Sequence, residues 1–424
     1  MDRTDAPRPP PAARSLDGLR VVDLSRVLAG PLCTQMLSDH GADVVKVEPP
    51  AGDETRLLGP PWLPSGDAAY FGALNRGKRA IAVDLSRPEG REVVLRLLED
   101  ADVLVENFLP GTLEKWGLGW DAVLSVRFPR LIHCAISGFG ADGPLGGLPG
   151  YDAVAQALGG LMSVNGQPDD GGVRVGVPVV DVVTGYNALV GILLALAERQ
   201  RSGRGQRVEA TLFDSALGLL VPHAANWFAS GRTPAALGSG HPNISPYDKF
   251  RAGDRDVFVG VVNDGQFRRL CDRLGRADLS ADPRFATNAA RLSNRAALRA
   301  ALERELAHRD AEALCADLMR HGVPAGPVNT IPQALEQAHA EHRKMVHAPH
   351  DGPRGLGVPV KLSRTPGVPG AAPPGFGAHT GPVLGEAGFA PERIEALREA
   401  GALPAARPGP VPTAAPDTRN EETR

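Results

Sequence analysis

The stretch "GVPVVDVVTGYNALVGILLALAERQRSG" sets one acid, Asp181, among apolar residues, with Thr184 and Gly185 close behind it. Such a carboxylate has two uses. At a helix N-terminus an Asp accepts backbone N–H groups and is favoured by the helix dipole. Beside unsatisfied amides and a hydroxyl such as Thr184, it can instead attack a carbonyl carbon while neighbouring N–H groups hold the oxyanion. The local pattern allows both.

Other constellations narrow the chemistry. The chain has no G-x-x-x-x-G-K-[ST] loop, no H-E-x-x-H helix and no G-x-S-x-G elbow, which removes the usual sequence support for phosphate hydrolysis, zinc proteolysis and serine hydrolysis. The turn "SRVLAGPLC" has a single Gly where a dinucleotide fingerprint needs G-x-G-x-x-G, although Glu48 ends the second strand, where such folds place a ribose-binding acid. Nicotinamide chemistry is therefore disfavoured. Cys33, Cys134, Cys271 and Cys315 lack metal-ligand spacing and read as reduced core thiols of a cytoplasmic protein, with no metal site. Carboxylates remain as the reactive groups.

The elements that must position them alternate. "LRVVDLS" reads as a buried strand, "PLCTQMLSDHG" as a helix and "ADVVKVE" as a strand; "KRAIAVDL", "PEGREVVLRLLEDA" and "DVLVENF" repeat the pattern. Strand, crossover helix and strand imply an α/β fold with a parallel sheet, continuing to about residue 234. Residues 235–335 change character: "YDKFRAGDRDVFVGVV" reads as a hairpin turned at Gly253-Asp254, followed by helices, a smaller α+β domain. Residues 336–401, rich in Pro and Gly, are expected to return to the large domain. The tails 1–15 and 402–424 are rich in Pro, Ala and charge and are expected to be disordered.

Composition excludes several partners. Of 424 residues, 46 are Lys or Arg and 49 Asp or Glu, a net charge of −3 with no block of one sign, so neither nucleic acid nor an anionic membrane is expected to bind. The N-terminal stretch has no apolar signal region, and no uninterrupted apolar run reaches the length of a membrane span. Small molecules are the expected partners.

From about residue 17 to 395 the chain resembles the family III CoA-transferases. The resemblance is carried, in order, by "GLRVVDLSRVLAGPLCTQMLSDHGADVVKVEPPAGDETR", "NRGKRAIAVDL", "ADVLVENFLPGTLEKWGLGW", "GYDAVAQALGGLMSVNG", "GVPVVDVVTG", "SGRGQRVEATLFD", "DPRFATNAARLSNR" and "GVPAGPVNT". It implies a Rossmann-like large domain, an interlocked homodimer, and CoA thioesters and carboxylic acids as substrates without a tightly bound cofactor. The nucleophile it implies is Asp181, passing through an aspartyl anhydride and an aspartyl-CoA thioester. For CoA it implies Arg26, Leu28 and Ala29 after the first strand, Glu48, then Val83, Asp84, Leu85 and Ser86, then Asn107, Phe108 and Leu109, then Lys115, and Pro149, Gly150 and Tyr151.

Where formyl-CoA transferases carry an Arg after the acid equivalent to Glu48, Pro49 stands here, which leaves Arg26, Arg76, Lys78 or Arg79 for the CoA phosphates. The racemase branch pairs the aspartate with a His in "G-H-D"; Gly150-Tyr151-Asp152 replaces it, and a tyrosine, ordinarily with a pKa of about 10, is a poor base near neutral pH. A racemase, a noncatalytic CoA-binding protein and a nicotinamide oxidoreductase are the rival readings. A glycine-containing loop, with Gly238, Gly240 and His241, is implied as a mobile lid over the reacting centre, and "GYDAVAQALGGLMS" with "GHPNISPY" resembles the branch that handles succinyl-CoA and dicarboxylic acids such as glutarate. Arg174 is the residue expected to bind a distal carboxylate.

Overall fold

In the computed structural model, residues 14–349 and 352–404 are described. Six short strands, β1 (Arg20–Asp23), β2 (Asp43–Glu48), β3 (Arg79–Ala82), β4 (Val103–Glu106), β5 (Ile132–Ser137) and β6 (Arg207–Thr211), form one sheet. Every pairing in it is parallel and the order is 3-2-1-4-5-6. These strands are Val-, Ile- and Ala-rich because both faces are covered, as parallel sheets require. The order reverses between β1 and β4, and at such a switch point the loops leaving the carboxyl ends of the two strands diverge and leave a crevice for a ligand.

The helices relevant to that edge are α1 (Ala29–Asp39), α2 (Ala69–Leu74), α3 (Pro88–Leu97), α4 (Thr112–Lys115), α5 (Ser125–Arg127), α6 (Asp152–Leu158) and α7 (Val179–Ser202). Pro88 opens α3, where its missing N–H costs nothing, and Gly203, at φ 73°, closes α7. One face of α7, with Val180, Thr184, Gly185, Ala188, Ile192 and Ala195, is buried. The sequence reading found no run long enough to cross a membrane, yet α7 is long and apolar enough to do so by length and composition, with an 18-residue window of mean hydropathy 1.9. Asp181, Thr184, Gly185 and Asn187 interrupt the apolar run of α7 without lowering the mean of that window below 1.9.

The chain divides into two units. The first comprises residues up to Ala155, Pro178–Ala216 and the chain from Glu341 on; the second comprises Gln156–Val177 and Leu217–Ala340. Against the expected boundary near 235, the second unit thus starts at Leu217 and also takes in a segment ahead of α7. In the first unit the helices Thr380–Glu386 and Pro391–Glu399 return to the sheet, and Val383, Leu384, Ile394 and Leu397 join its core. Ala402 and Leu403 are buried in the same core, so the tail expected from 402 begins no earlier than 404; residues 1–13 and 405–424 lie outside the described residues.

The second unit holds a three-stranded antiparallel sheet of β7 (Tyr247–Ala252), β8 (Arg255–Gly260) and β9 (Ala325–Pro327). Its hairpin turns at Gly253-Asp254 as expected, with Gly253 at φ 55°. Phe250, Val257, Phe267, Leu270, Phe285 and Leu302 are among the residues of its own core.

Candidate active site

The carboxyl edge of the sheet begins with β1, which ends in a buried acid, Asp23. Its carboxylate accepts from Ser25 N, Thr34 Oγ1 and Lys78 Nζ at 3.0, 2.6 and 3.0 Å. The chain then turns sharply through Arg26 and Val27. Val27 has φ +68°, a conformation a β-branched side chain avoids, so this turn is strained and held from outside. Three groups hold it. Asn107, just after β4, accepts Arg26 N at 2.8 Å and donates to Arg26 O at 2.7 Å; Asp53 accepts Val27 N at 3.3 Å; and Lys46 donates to Ser25 O at 2.8 Å. The clamp from Asn107 spans the switch point between β1 and β4.

Close backbone packing brings α1 and α7 to this edge. A Cβ on Gly30 would lie 2.3 Å from the Ser25 side chain, and one on Gly185 would lie 2.8 Å from Ala29 O. Gly185 is one turn beyond Asp181, so the glycine lets the start of α7 lie directly on the start of α1.

Asp181 is the third residue of α7, and it does not cap the helix. Asp152, the buried first residue of α6, accepts Val180 N at 2.8 Å and Asp181 N at 3.2 Å through its Oδ1. The second and third amides of the helix, which an N-cap side chain at position 178 would ordinarily take, are thereby satisfied by Asp152. Among the described residues no hydrogen bond or ion pair reaches the Asp181 carboxylate, which is half-buried. Burial, and next the charge of Asp152, push its pKa up from 3.8 to about 7. The ordinary carboxylate value near 4 therefore does not apply to it. The Thr184 hydroxyl is buried and donates to Val180 O at 2.7 Å, and the neighbouring amides of Val180 and Asp181, expected to be unsatisfied, are occupied by Asp152.

Tyr70, on α2, belongs to the same corner and was not singled out in the sequence. Burial, then the charges of Asp181, Asp152 and Asp53, push its hydroxyl up to about 12. It is a neutral donor in an acidic surround. Its sequence signal was weak, one of two adjacent aromatics, Tyr70 and Phe71, ahead of "NRGKR".

The residues expected to hold CoA separate into two groups. Glu48 is fully buried, and both its oxygens are taken: Arg56 donates Nε and Nη2 at 2.7 Å each and Asp53 donates its N–H at 3.0 Å. It is a structural ion-pair partner and presents no free oxygen to a ribose. The phosphate candidates of "NRGKR" are likewise consumed, Arg76 by Asp39, Lys78 by Asp23, Arg79 by Asp43 and Glu386. Leu28, Ala29, Val83 and Leu85 are buried and present backbone at most; Val83 N and Asp84 N already donate to Glu48 O and Ala402 O, and Asp84 Oδ1 accepts from Ser86 N and Oγ.

The second group faces outward. Leu109 and Tyr151 are exposed, as are Ser86, Lys115 and Pro149. Phe108 stacks edge-on against Trp116, with centroids 5.2 Å apart, and carries the Arg26 guanidinium 5.8 Å above its ring. Arg26 also pairs with Glu54 at 2.6 Å, and its Nε is buried without a partner. Gly150 crosses Gly138 so closely that a Cβ on either would lie under 3 Å from the other's Cα, fixing the turn into α6.

In the second unit, Gly238 donates to Gly166 O at 2.9 Å, Gly240 to Leu237 O at 3.0 Å, and His241 to Tyr247 O at 3.1 Å, while Arg295 donates to His241 O. The loop expected as a lid is thus tied at several points within its own unit. Burial, then the nearby charges of His223 and Arg295, lower the His241 pKa, and its Nδ1 accepts Asn243 N at 3.0 Å. Arg174 is exposed and bonds Val175 O in its own strand of chain. No cluster of metal-ligating side chains occurs among the described residues.

A strained loop lies at the switch point of the parallel sheet, and α7 starts with an acid whose first-turn amides are taken by Asp152. Comparison with known proteins identifies the family. A succinate–glutarate CoA-transferase of Agrobacterium fabrum is 42% identical over 394 residues, covering 90% of this chain and 97% of that one. A succinyl-CoA:mesaconate CoA-transferase of Haloarcula hispanica is 40% identical over 88% of this chain and 96% of its own. The crystal structure of a CAIB/BAIF family protein from Brucella suis superposes with a TM-score of 0.80 at 42% identity, covering 88% of this chain and all of that one. Residues 16–380 match the profile of CoA-transferase family III, and the chain belongs to that family.

Proposed function

We propose that this CoA-transferase moves CoA from succinyl-CoA to a dicarboxylic acid such as glutarate, with Asp181 as covalent nucleophile. The observation that carries the reading is the free Asp181 carboxylate at the start of α7, its capping duty taken by Asp152. The names of the relatives supply the substrate class.

An Asp181 oxygen attacks the thioester carbonyl, the C–S bond breaks, and CoA thiolate leaves behind a mixed anhydride. The thiolate then attacks the Asp181 carboxyl carbon, releasing succinate and leaving an aspartyl-CoA thioester. The acceptor carboxylate attacks that thioester to give a second anhydride and thiolate again. Attack of the thiolate on the acceptor's carbonyl yields the new acyl-CoA and regenerates Asp181. Each step exchanges one acyl bond for another, so no external oxidant or base is consumed. Desolvation favours the attack, because a carboxylate stripped of water is a stronger nucleophile than one in bulk solvent.

Arg26, with its unpartnered Nε, and the exposed Lys115 are the bases left for the CoA phosphates. The half-exposed face of α7, with Tyr186, Val190, Leu193 and Leu194, is an apolar stripe that suits a second copy of the chain, which supports the homodimer. Four buried free thiols suit a cytoplasmic location.

Peptide mass mapping after incubation with a panel of acyl-CoAs, succinyl-CoA included, and trapping with hydroxylamine tests the reading. The expected product is a hydroxamate at Asp181. An unmodified Asp181 with every donor removes the nucleophile role and brings forward the racemase reading, which α-hydrogen exchange with deuterated solvent would reveal.

A further inference from the structure

We infer that Asp152 is the positioning residue for the nucleophile: its Oδ1 takes both first-turn amides of α7, and its negative charge stands beside the carboxylate it leaves free. The inference rests on the reading of Asp181 as nucleophile. The geometry is specific. Helix α7 has Pro178 at its N-cap, a residue whose side chain cannot accept, so the donors of Val180 and Asp181 need an acceptor from elsewhere. Asp152, buried and 28 residues earlier than Val180, supplies it at 2.8 and 3.2 Å.

Without that acceptor, Asp181 would be drawn to its own helix terminus, where a bond to an amide stabilises the carboxylate and blunts its reactivity. Asp152 therefore separates two tasks that one helix-start acid ordinarily combines. One acid satisfies the backbone, and the other is left for chemistry. The charge of Asp152 acts on the same carboxylate separately, by disfavouring ionisation of Asp181 and so setting the pH at which it becomes reactive.

The other groups around α7 leave this role to Asp152. Of the elements packed on α7, α1 brings the buried Cys33 and Asp39, the latter paired with Arg76; β5 brings Cys134 and His133, which bonds Glu106; β6 brings Arg207 and Glu209, paired with each other. Nearby stand Tyr70 of α2 and Asp53, the latter paired with Lys46. The charge that acts on Asp181 is that of Asp152.

The test compares wild type with Asp152→Asn and Asp152→Ala in the full-length protein, following the rate of Asp181 modification by succinyl-CoA from pH 5 to 9. Attack needs the ionised carboxylate, so the wild-type rate rises with pH to a plateau above about pH 7. Asn keeps an oxygen for the two amides but loses the charge. Its rising limb should move down by about one pH unit, with a plateau within about threefold of wild type. Ala removes the acceptor, and its plateau should fall by roughly tenfold or more. A limb that stays at the wild-type pH in the Asn variant, or an Ala plateau equal to that of Asn, overturns the inference while leaving the nucleophile intact. Should the Ala variant not fold, the Asn limb decides alone. A wild-type protein never modified at Asp181 overturns the nucleophile reading and this inference with it; titrating the Asp181 carboxyl carbon by NMR in wild type and Asp152→Asn shows separately whether the charge coupling exists.

Discussion

Two acidic regions lie at one edge of the same sheet and are built on opposite rules. Beneath the strained Arg26-Val27 turn, six charges are buried, and each has a partner of opposite sign: Asp23 with Lys78, Asp53 with Lys46, Glu48 with Arg56. Around α7, Asp181 and Asp152 stand together with the neutral Tyr70, and no base reaches the Asp181 carboxylate among the described residues. In the paired region, opposite charges counter desolvation; the pKa values of Asp23 and Asp53 are lowered although burial alone would raise them. At Asp181 no opposite charge counters it, and its pKa rises to about 7. Paired burial builds a scaffold, whereas unpaired burial stores reactivity.

The sharpest way to break this comparison is Asp181→Asn. The amide is nearly isosteric and neutral, so the fold should survive while CoA transfer falls by at least about 10⁴-fold, more than 5 kcal/mol of barrier. Steady-state rates with succinyl-CoA and glutarate, on protein checked by mass for deamidation, measure it. Activity at the wild-type level would place Asp181 with the structural acids.

The converse belongs to the paired region. Arg56→Met removes the guanidinium that lies 3.6 Å over the Phe71 ring, bonds Asp67 and holds both oxygens of the fully buried Glu48, leaving Glu48 without its cation. Equilibrium unfolding should show a loss of roughly 3–5 kcal/mol, the usual result of orphaning a buried charge. A loss under 1 kcal/mol would mean that water or relaxation already satisfies these acids.

The same Asp181→Asn variant should have the opposite effect on stability. Folding raises the Asp181 pKa from 3.8 to about 7, so the folded state holds that proton more tightly. The stability this group contributes is complete below about pH 3.8, declines as pH rises, and is lost once pH passes about 7. An uncharged Asn escapes that loss. The variant should match wild type near pH 4 and exceed it above pH 7.5 by on the order of 2 kcal/mol, allowing for partial solvent screening of a half-buried group. Urea unfolding of both proteins across that range reads the difference directly, and parallel curves would deny the destabilised nucleophile.

Much of this was legible in the sequence, for reasons tied to distance along the chain. The first four strands follow from short apolar runs bearing Val or Ile, and the helices between them from signals such as Pro88 at a start and Gly41 after an end, all local signals. The position of Asp181 at a helix start is local too. What capped the helix was not, since Asp152 reaches it from 29 residues away. The basic turn "NRGKR" misled for the same reason: Arg79 meets Glu386 307 residues on, and Arg76 meets Asp39 37 residues back. Glu48 ends its strand where a ribose-binding acid would stand, but Arg56, eight residues on in the 3₁₀ turn Glu54–Leu57, claims it. A charge read alone suggests a ligand; its partner decides whether any is left to bind one.

That reasoning leaves Lys115 as the base to test last and with the smallest effect. It ends α4, exposed, beside the Phe108–Trp116 pair, and no ion pair engages it among the described residues. A solvent-exposed ammonium facing a phosphate contributes about 1 kcal/mol, because water and salt screen the pair. Lys115→Met should therefore raise the KM for acyl-CoA by roughly fivefold and leave kcat unchanged, since the phosphate contact is the same in ground and transition states. The KM gap between variant and wild type should narrow as salt increases, which a packing defect would not produce. A change in kcat with no change in KM would assign Lys115 to the scaffold side of the comparison, and Arg26, whose Nε is buried and unpartnered, would be left to meet the phosphates.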